Sequence, residues 1–173
     1  MKNTVSFLII LITISFNGLS QSKSMLAIDI KNGFRDIKLE SDFISISNKY
    51  QLTFITSTDL IKTYNLKGLD MYIDDMPIEY IYIDFIGNKV YSIFLKIDCD
   101  GTTTKLTNLI EKNYGKLKLN SENYDYFIKG NKAELIYQVR GEQQNNGYLS
   151  SFANITIRSV NLKKKITGNN NGF

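Results

Sequence analysis

Residue types suited to catalysis are scarce in this sequence of 173 residues. Histidine is absent, and cysteine occurs once, at Cys99. Histidine and cysteine supply many of the general bases, nucleophiles and metal ligands of enzymes. Cys99 would need a base other than histidine to act as a nucleophile, and the alternative is a buried, inert thiol. We therefore lean against an enzymatic function and expect no cofactor and no metal.

One acidic segment could be mistaken for a metal site. Asp98-Cys99-Asp100-Gly101 is similar to the middle of a calcium-binding loop, which uses carboxylates at alternate positions. Lys96 stands where the preceding oxygen ligand is needed, and Thr107 stands where the loop requires its closing carboxylate. The segment therefore predicts a connection between a strand and a helix, with acids that favour the helix N-terminus.

A second group of acids consists of Asp70, Asp74, Asp75 and Glu79. Paired carboxylates are the catalytic groups of glycosidases. Here the acids alternate with apolar residues, which is typical of an exposed edge and loop. A hydrolase that uses Asp70, Asp74 and Asp75 is the enzymatic alternative to a binding function.

Tyrosines give the strongest indication of a contact surface, since the chain has 11 of them. Tyrosine is amphipathic and is enriched at interfaces. We expect Tyr80, Tyr82 and Tyr91 to share one face of a hairpin, where they are the candidate binding residues for a protein or glycan. The alternative is that they form an outer layer of the core beneath the N-terminal strands.

The hairpin that positions these tyrosines is the clearest element of the chain. Two apolar runs, Ile78–Ile86 and Lys89–Ile97, flank Gly87-Asn88, which is a two-residue turn that tolerates positive φ. Residues opposite each other share a face. The turn predicts that Phe85 lies opposite Val90, Ile83 opposite Ser92, Ile81 opposite Phe94, and Glu79 opposite Lys96. Because neither face is polar, we expect the hairpin to lie centrally in a sheet.

A helix follows the hairpin. Leu106, Leu109, Ile110 and Tyr114 recur at helical spacing from Thr102 or Thr103 onward, and Gly115 suits the position just after the helix. This amphipathic helix is expected to cover the aliphatic face of the sheet.

The other elements are weaker in pattern. Residues 41–47 fit either a short helix or a strand, and residues 57–66 are weakly patterned. Gly130-Asn131 is a second turn. We predict strands at Met25–Ile30, Phe34–Leu39, Tyr50–Thr56, Tyr124–Lys129, Ala133–Arg140 and Leu149–Val160. Together these elements predict a single α+β domain, with an antiparallel sheet of five or more strands and one principal helix packed on one face.

The N-terminus has the form of a secretory signal peptide. Val5–Phe16 is a continuous hydrophobic run, and Gly18 and Ser20 occupy the −3 and −1 positions of a cleavage site. The run is shorter than the roughly 20 residues that a membrane-spanning helix needs. We therefore predict cleavage after residues 1–20, export to the periplasm or the extracellular space, and no membrane span afterwards.

Charge and composition argue against a nucleic-acid partner. The formal net charge is +4, and basic residues are interspersed with acidic ones along most of the chain. The one dense basic run, Lys163–Lys165, precedes a polar end, so we expect residues 162–173 to form a polar tail behind an α+β domain at residues 21–161. An abundance of Ile, Lys and Asn, whose codons are AT-rich, favours a bacterial source.

Four segments resemble a class of small exported bacterial α+β domains of unknown function. The residues that carry the resemblance are Gly33–Leu39, similar to a GFR-x-IK opening; Ile81, Phe85, Lys89 and Ile93 in the hairpin; Leu109–Gly115, a helix ending in Tyr-Gly; and Phe127–Ile136, a strand pair with Phe in place of Trp. The resemblance implies the fold and export of that class, and it implies no catalytic residues.

The function that the sequence favours is therefore an exported, non-catalytic binding or interaction module with a protein or glycan partner. Two alternatives stay open. One is the carboxylate-based hydrolase, and the other is a structural or assembly subunit that pairs through a sheet edge.

Overall fold

The computed structural model describes residues 27–99, 103–122, 125–143 and 149–169. The predicted signal peptide, residues 1–20, lies outside the described residues. So do Met25, Asp100–Thr102 and the segment 144–148.

Four helices and eleven strands occur in the described ranges. In chain order they are α1 (27–31), β1 (Gly33–Phe34), β2 (Ile37–Lys38), α2 (Phe43–Ser47), β3 (Gln51–Ser57), β4 (Ile61–Lys67), β5 (Tyr72–Ile73), β6 (Met76–Ile86), β7 (Lys89–Asp98), α3 (Thr103–Tyr114), β8 (Lys118–Asn120), β9 (Asp125–Lys129), β10 (Ala133–Gln143), β11 (Leu149–Ser159) and α4 (Val160–Asn169).

Nine strands form one antiparallel sheet. Its order is β3-β4-β6-β7-β11-β10-β9-β8, with β5 paired to β6. The sheet consists of two meanders that meet where β7 pairs with β11, and α3 connects them along the chain. The predicted mixed fold with an antiparallel sheet of five or more strands is confirmed.

The central hairpin forms at the predicted turn, but its register differs from the prediction. Phe85 lies opposite Val90 as expected. Tyr91 is then an extra residue in β7, so the pairing shifts by one position at a β-bulge. Beyond the bulge Ile83 pairs with Ile93, Ile81 with Leu95, and Tyr82 with Phe94. The predicted pairing of Ile81 with Phe94 is therefore wrong.

The bulge has a physical origin that an alternation pattern does not reveal. Apolar residues occupy both parities of β7, so either register buries aliphatic side chains. The extra residue places Ile93 and Ile97 of β7 on the same side as Ile81 and Ile83 of β6. That shared side we call the core face. It carries Ile81, Ile83, Ile93, Leu95, Leu135, Ile155 and Ile157, each at most 4% exposed. Leu106 and Ile110 of α3 are buried in the same cluster.

The predicted first strand at Met25–Ile30 is wrong over its described part, because residues 27–31 are helical. Tertiary contacts decide this conformation. Ile28 is fully buried. The Asp29 carboxylate accepts backbone N–H groups of Asn131 and Lys132, both at 2.9 Å, in the turn between β9 and β10.

The segment that follows, predicted as extended, is a tight hairpin of β1 and β2. Gly33 has φ 148°, and a Cβ atom there would lie 2.0 Å from the Ile37 carbonyl oxygen. Only glycine fits such a position. Arg35, at the turn, has φ 54° and donates to the Asp70 carbonyl at 2.6 Å.

Three further segments refine the prediction. Residues 43–47 form α2, so the helical alternative holds there, and the strand expected at Tyr50–Thr56 forms as β3. The weakly patterned region contains β4, at Ile61–Lys67, which the sequence did not indicate.

The polar tail expected from residue 162 begins instead inside a helix, α4. Leu162 is buried, and its backbone N–H donates to the Ser159 hydroxyl at 3.1 Å, in the manner of a helix N-cap. Lys163 forms an ion pair with Glu134 at 2.9 Å. These contacts hold the first turn of α4 against the sheet, although the segment reads as polar. Among the described helices, none is both long and apolar enough to cross a bilayer.

Candidate functional site

The side of the sheet opposite the core face is the candidate site, and we call it the second face. Its central residues alternate with those of the core face along four neighbouring strands. They are Tyr80, Tyr82 and Asp84 of β6; Ser92, Phe94 and Lys96 of β7; Asn154, Thr156 and Arg158 of β11; and Glu134, Ile136 and Gln138 of β10. All but Ser92 are half-buried, and none belongs to the buried hydrophobic cluster.

An aromatic cluster of Tyr80, Tyr82 and Phe94 lies on this face. The rings of Tyr80 and Tyr82 stack with centroids 4.6 Å apart and an interplanar angle of 23°. The Phe94 ring is 6.1 Å from Tyr80 and 6.2 Å from Tyr82, again nearly parallel. Tyr80 and Tyr82 are two residues apart on β6, and Phe94 lies directly opposite Tyr82 on β7. Side chains in these positions share a face and lie within contact distance. The stacking of Tyr80 on Tyr82 therefore covers one face of each of these two rings.

Lys96 borders the aromatic cluster. Its ammonium group lies 4.4 Å from the centroid of Phe152 and 5.9 Å from that of Tyr80, within the range of cation–π attraction. It also forms an ion pair with Glu79 at 3.0 Å. The predicted Glu79–Lys96 pair therefore forms, even though Tyr80 and not Glu79 lies directly opposite Lys96.

A polar row crosses the second face beside the aromatic cluster. The Asp84 carboxylate accepts hydrogen bonds from Thr63 at 2.7 Å and from Ser92 at 2.6 Å. Further along the row, Glu134 accepts hydrogen bonds from Arg158 and Lys163. Burial acts to raise the pKa of Glu134, but the hydrogen bonds from these two cations outweigh it and hold the pKa below its ordinary value.

The three predicted binding tyrosines differ in exposure. Tyr80 and Tyr82 are half-buried, whereas Tyr91 is 8% exposed. Tyr91 occupies the bulge, next to Arg158, and burial raises its pKa. Sequence reasoning missed Phe94, because only the bulge moves its side chain to the tyrosine side.

Apart from Asp84, whose partners are the hydroxyl groups of Thr63 and Ser92, the charged groups described on and beside this face pair with opposite charges. Besides the pairs of Lys96 and Glu134, Asp125 forms an ion pair with Arg140 at 2.8 Å and accepts a hydrogen bond from Gln138 at 2.6 Å. A surface with aromatic side chains at its centre and mutually paired charges around them suits a partner with little net charge.

The carboxylates of the hydrolase alternative lie elsewhere and are engaged by cations. Asp70 pairs with Arg35 at 3.2 Å, and Lys105 contacts Asp74 and Asp75, both at 2.7 Å. The hydrogen bond from Lys105 lowers the pKa of Asp75, whereas a catalytic general acid needs a raised pKa.

The remaining candidates from the sequence are a reactive thiol at Cys99 and a metal site. Cys99 is buried and lies 3.5 Å from the Ser151 carbonyl oxygen. The described part of the chain has no group of three or more Cys, Asp or Glu residues arranged to hold a metal ion.

The two edges of the sheet differ. β3 is a seven-residue edge strand without charged residues, in which Phe54 is 54% and Ile55 48% exposed. The opposite edge, β8, has three residues and begins at Lys118. Long, uncharged, apolar edges are the type that pairs with other chains.

Comparisons with known proteins add no relative. No protein-family model, curated protein or solved structure matches this chain. The resemblance to a class of exported bacterial domains therefore stays a prediction.

Proposed function

We propose that this protein is an exported, non-catalytic binding module whose second face binds a protein partner. The observation that carries the proposal is the stacked aromatic cluster of Tyr80, Tyr82 and Phe94, half-buried at the centre of the sheet. Aromatic side chains at the centre of a patch with a polar surround are typical of protein interfaces.

Ring orientation favours a protein over a sugar. A sugar that stacks on aromatic side chains needs an open ring face, and the stacking of Tyr80 on Tyr82 removes one face of each ring from such contact. Their edges and hydroxyl groups can enter a partner's surface and exchange hydrogen bonds with it. Held by the stack, the side chains also lose little rotamer entropy on binding.

The dimensions of the second face are sufficient for an interface. The four central strands, β6, β7, β11 and β10, have 10 or 11 residues each. At a rise of about 3.3 Å per residue and a strand spacing of about 4.8 Å, they form a patch of roughly 35 by 19 Å. That is close to the ~800 Å² per partner of a standard interface once side-chain relief is added.

We further propose that α3 is the principal helix on the core face, which leaves the second face for a partner. Leu106 and Ile110 support this proposal because both are buried with the sheet residues. The Thr107 hydroxyl also lies 3.3 Å from that of Tyr137, a core-face residue of β10.

Affinity purification from the cells that express the protein tests the proposal. The tagged chain is compared with Tyr80→Ser/Tyr82→Ser and with a control, Tyr126→Ser, whose tyrosine is exposed and lies opposite Tyr137 on the core-face side of the sheet. We expect one partner protein, identified by mass spectrometry, with the wild type and the control but not with the second-face variant. Equal recovery with both variants, all folded by circular dichroism, contradicts the proposal, as does specific capture of glycans alone.

A second candidate function is edge pairing through β3, since this strand is long, uncharged and exposed. An extended segment of another chain can add to such an edge. Ile55→Lys places a charge there, and Leu119→Lys on β8 is the control. Analytical ultracentrifugation of wild type and variants tests this candidate: an assembly lost only in Ile55→Lys supports it, and a monomeric wild type removes self-pairing.

A further inference from the structure

Asp84 is a charged residue in the central part of the second face whose partners carry no charge. Its Oδ1 atom accepts a hydrogen bond from the Thr63 hydroxyl at 2.7 Å, and its Oδ2 atom accepts one from the Ser92 hydroxyl at 2.6 Å. Among the described residues, no lysine or arginine forms an ion pair with this carboxylate. The second face therefore presents one carboxylate without a matching cation.

The register of the strands explains why Asp84 has only hydroxyl partners. Thr63 of β4 and Ser92 of β7 lie directly opposite Asp84 on its two neighbouring strands. The next residue in the same row is Arg158 of β11, which lies opposite Ser92. Arg158 forms its ion pair with Glu134, on the next strand away from Asp84. At a strand spacing of about 4.8 Å, its backbone is roughly 10 Å from that of Asp84, so the cation of this row is engaged elsewhere.

One side of an aromatic ring adjoins this carboxylate. Tyr80, Tyr82 and Asp84 occupy alternate positions of β6, so their side chains follow one another in a line on the second face. Tyr80 stacks on one side of the Tyr82 ring. Phe94 is almost equidistant from the two tyrosine rings, at 6.1 and 6.2 Å, so it lies beside their stack and not beyond Tyr82. The side of the Tyr82 ring that faces away from Tyr80 therefore lies toward Asp84.

A partner that covers the second face removes the remaining water from Asp84, which is half-buried in the free protein. A carboxylate that loses its water is destabilised unless a cation and further hydrogen bonds replace it. Carboxylate oxygens offer about four acceptor positions, and the two hydroxyl groups use one on each oxygen of Asp84. The guanidinium group of arginine fits what is left, because it donates to both oxygens of a carboxylate at once and also stacks on aromatic rings.

We infer that the protein partner places an arginine side chain between Asp84 and Tyr82, with its guanidinium group paired to the carboxylate and packed against the open side of the ring. This inference rests on the proposed function, because it requires a protein to cover the second face. It adds the chemistry of the contact, since the other charges described on this face already have partners of opposite sign. The partner surface is then one of little net charge that carries an arginine opposite Asp84.

A pair of small probes tests the arginine site without the partner. The probes are N-acetylarginine amide and N-acetylcitrulline amide, which has nearly the same shape but no charge. In NMR titrations of the isotope-labelled chain, the arginine probe should shift the amide signals of Thr63, Tyr82 and Ser92. It should bind about fivefold more tightly than the citrulline probe, which is the effect of one partly screened ion pair. Equal binding of the two probes, or no shifts around Asp84 with the arginine probe, overturns the inference, and this comparison requires only the wild type.

Capture of the partner from cells separates this inference from the proposed function. Asp84→Asn removes the charge and keeps an oxygen acceptor, and Asp59→Asn is the matched control at an exposed acid in the turn between β3 and β4. We expect Asp84→Asn to lower recovery of the partner about tenfold, because the arginine is left buried without its counter-charge, and Asp59→Asn to leave recovery unchanged. Full recovery with a folded Asp84→Asn chain, where Tyr80→Ser/Tyr82→Ser loses the partner, overturns the arginine site and leaves the proposed interface in place. Full recovery with all of these variants contradicts the interface itself.

Discussion

The two faces of the nine-stranded sheet are built from the same strands and differ in what their side chains contact. On the core face, isoleucine and leucine form a continuous buried cluster with α3. On the second face, aromatic rings stack within the sheet and charges pair with neighbours in the same sheet. The core face is thus buried by other elements of the fold. On the second face, side chains contact neighbours within the sheet, and the outer surface is left open to a partner.

Adjacent residues of β6 provide the most direct test of this difference. Ile83 is fully buried on the core face, and Tyr82 is only half-buried on the second face. Ile83→Ala should lower the free energy of unfolding by about 3–4 kcal/mol, since it removes buried methyl groups and leaves a cavity. Tyr82→Ala should cost only ~1 kcal/mol. Urea denaturation of both variants measures the contrast, and equal losses would show that the second face is also covered.

The ion pairs of the second face predict a smaller, pH-dependent effect. Glu134→Gln should cost about 1–2 kcal/mol at neutral pH, because Arg158 and Lys163 lose a charged acceptor. The folded-state pKa of Glu134 is lowered from 4.5, so its contribution is complete above that pH and is lost as the pH falls through the lowered pKa. The wild type should therefore lose more stability on acidification than the variant. Parallel slopes would contradict this account, and Glu122→Gln, at an exposed site, is the control.

Alkaline pH tests the contact between α3 and the β1–β2 hairpin. Tyr114→Phe should cost ~1 kcal/mol through the lost hydrogen bond to Gly33. Burial raises the folded-state pKa of Tyr114 from 10.0 to about 12, so the stability it contributes is present below pH 10 and is lost as the pH rises through 12. The variant should show a shallower alkaline loss in thermal unfolding. Some loss should persist, since burial and the hydrogen bond to Asp36 raise the pKa of Tyr50 to about 12 as well.

The smallest effect on stability is expected at the edge of the sheet. Ile55→Lys should change the free energy of unfolding by no more than ~0.5 kcal/mol, because the side chain is about half exposed. A large loss in urea denaturation would mean that β3 is covered in solution, as an edge paired with another chain would be.

Short sequence patterns predicted the turns and the helix α3, which depend on residues close together in the chain. Gly87-Asn88 and Gly130-Asn131 form the expected turns, and α3 has the expected helical spacing from Leu106 to Tyr114. The same patterns did not predict the helical conformation of residues 27–31 and 160–169, because contacts with distant residues stabilise it. Asp29 binds a turn more than one hundred positions away, and Lys163 pairs with Glu134.

Alternation of side chains along a strand predicted only part of the candidate site. Tyr80 and Tyr82 share a face because they are two residues apart on one strand, which alternation reveals. The bulge at Tyr91 is invisible to alternation, so alternation places Phe94 on the wrong face and groups Tyr91 with Tyr80 and Tyr82, although Tyr91 alone of the three is buried.

Site-specific photo-crosslinking in the native cells tests the central claim most directly. A photoreactive phenylalanine analogue replaces Tyr82 at the centre of the second face or, as the control, Tyr126, which is exposed and lies opposite Tyr137 on the core-face side. The account predicts a crosslink to one partner protein from position 82 and none to that protein from position 126. A partner crosslinked from position 126 alone, or none from position 82 in a protein that is folded and exported, would contradict the claim that the second face is the binding surface.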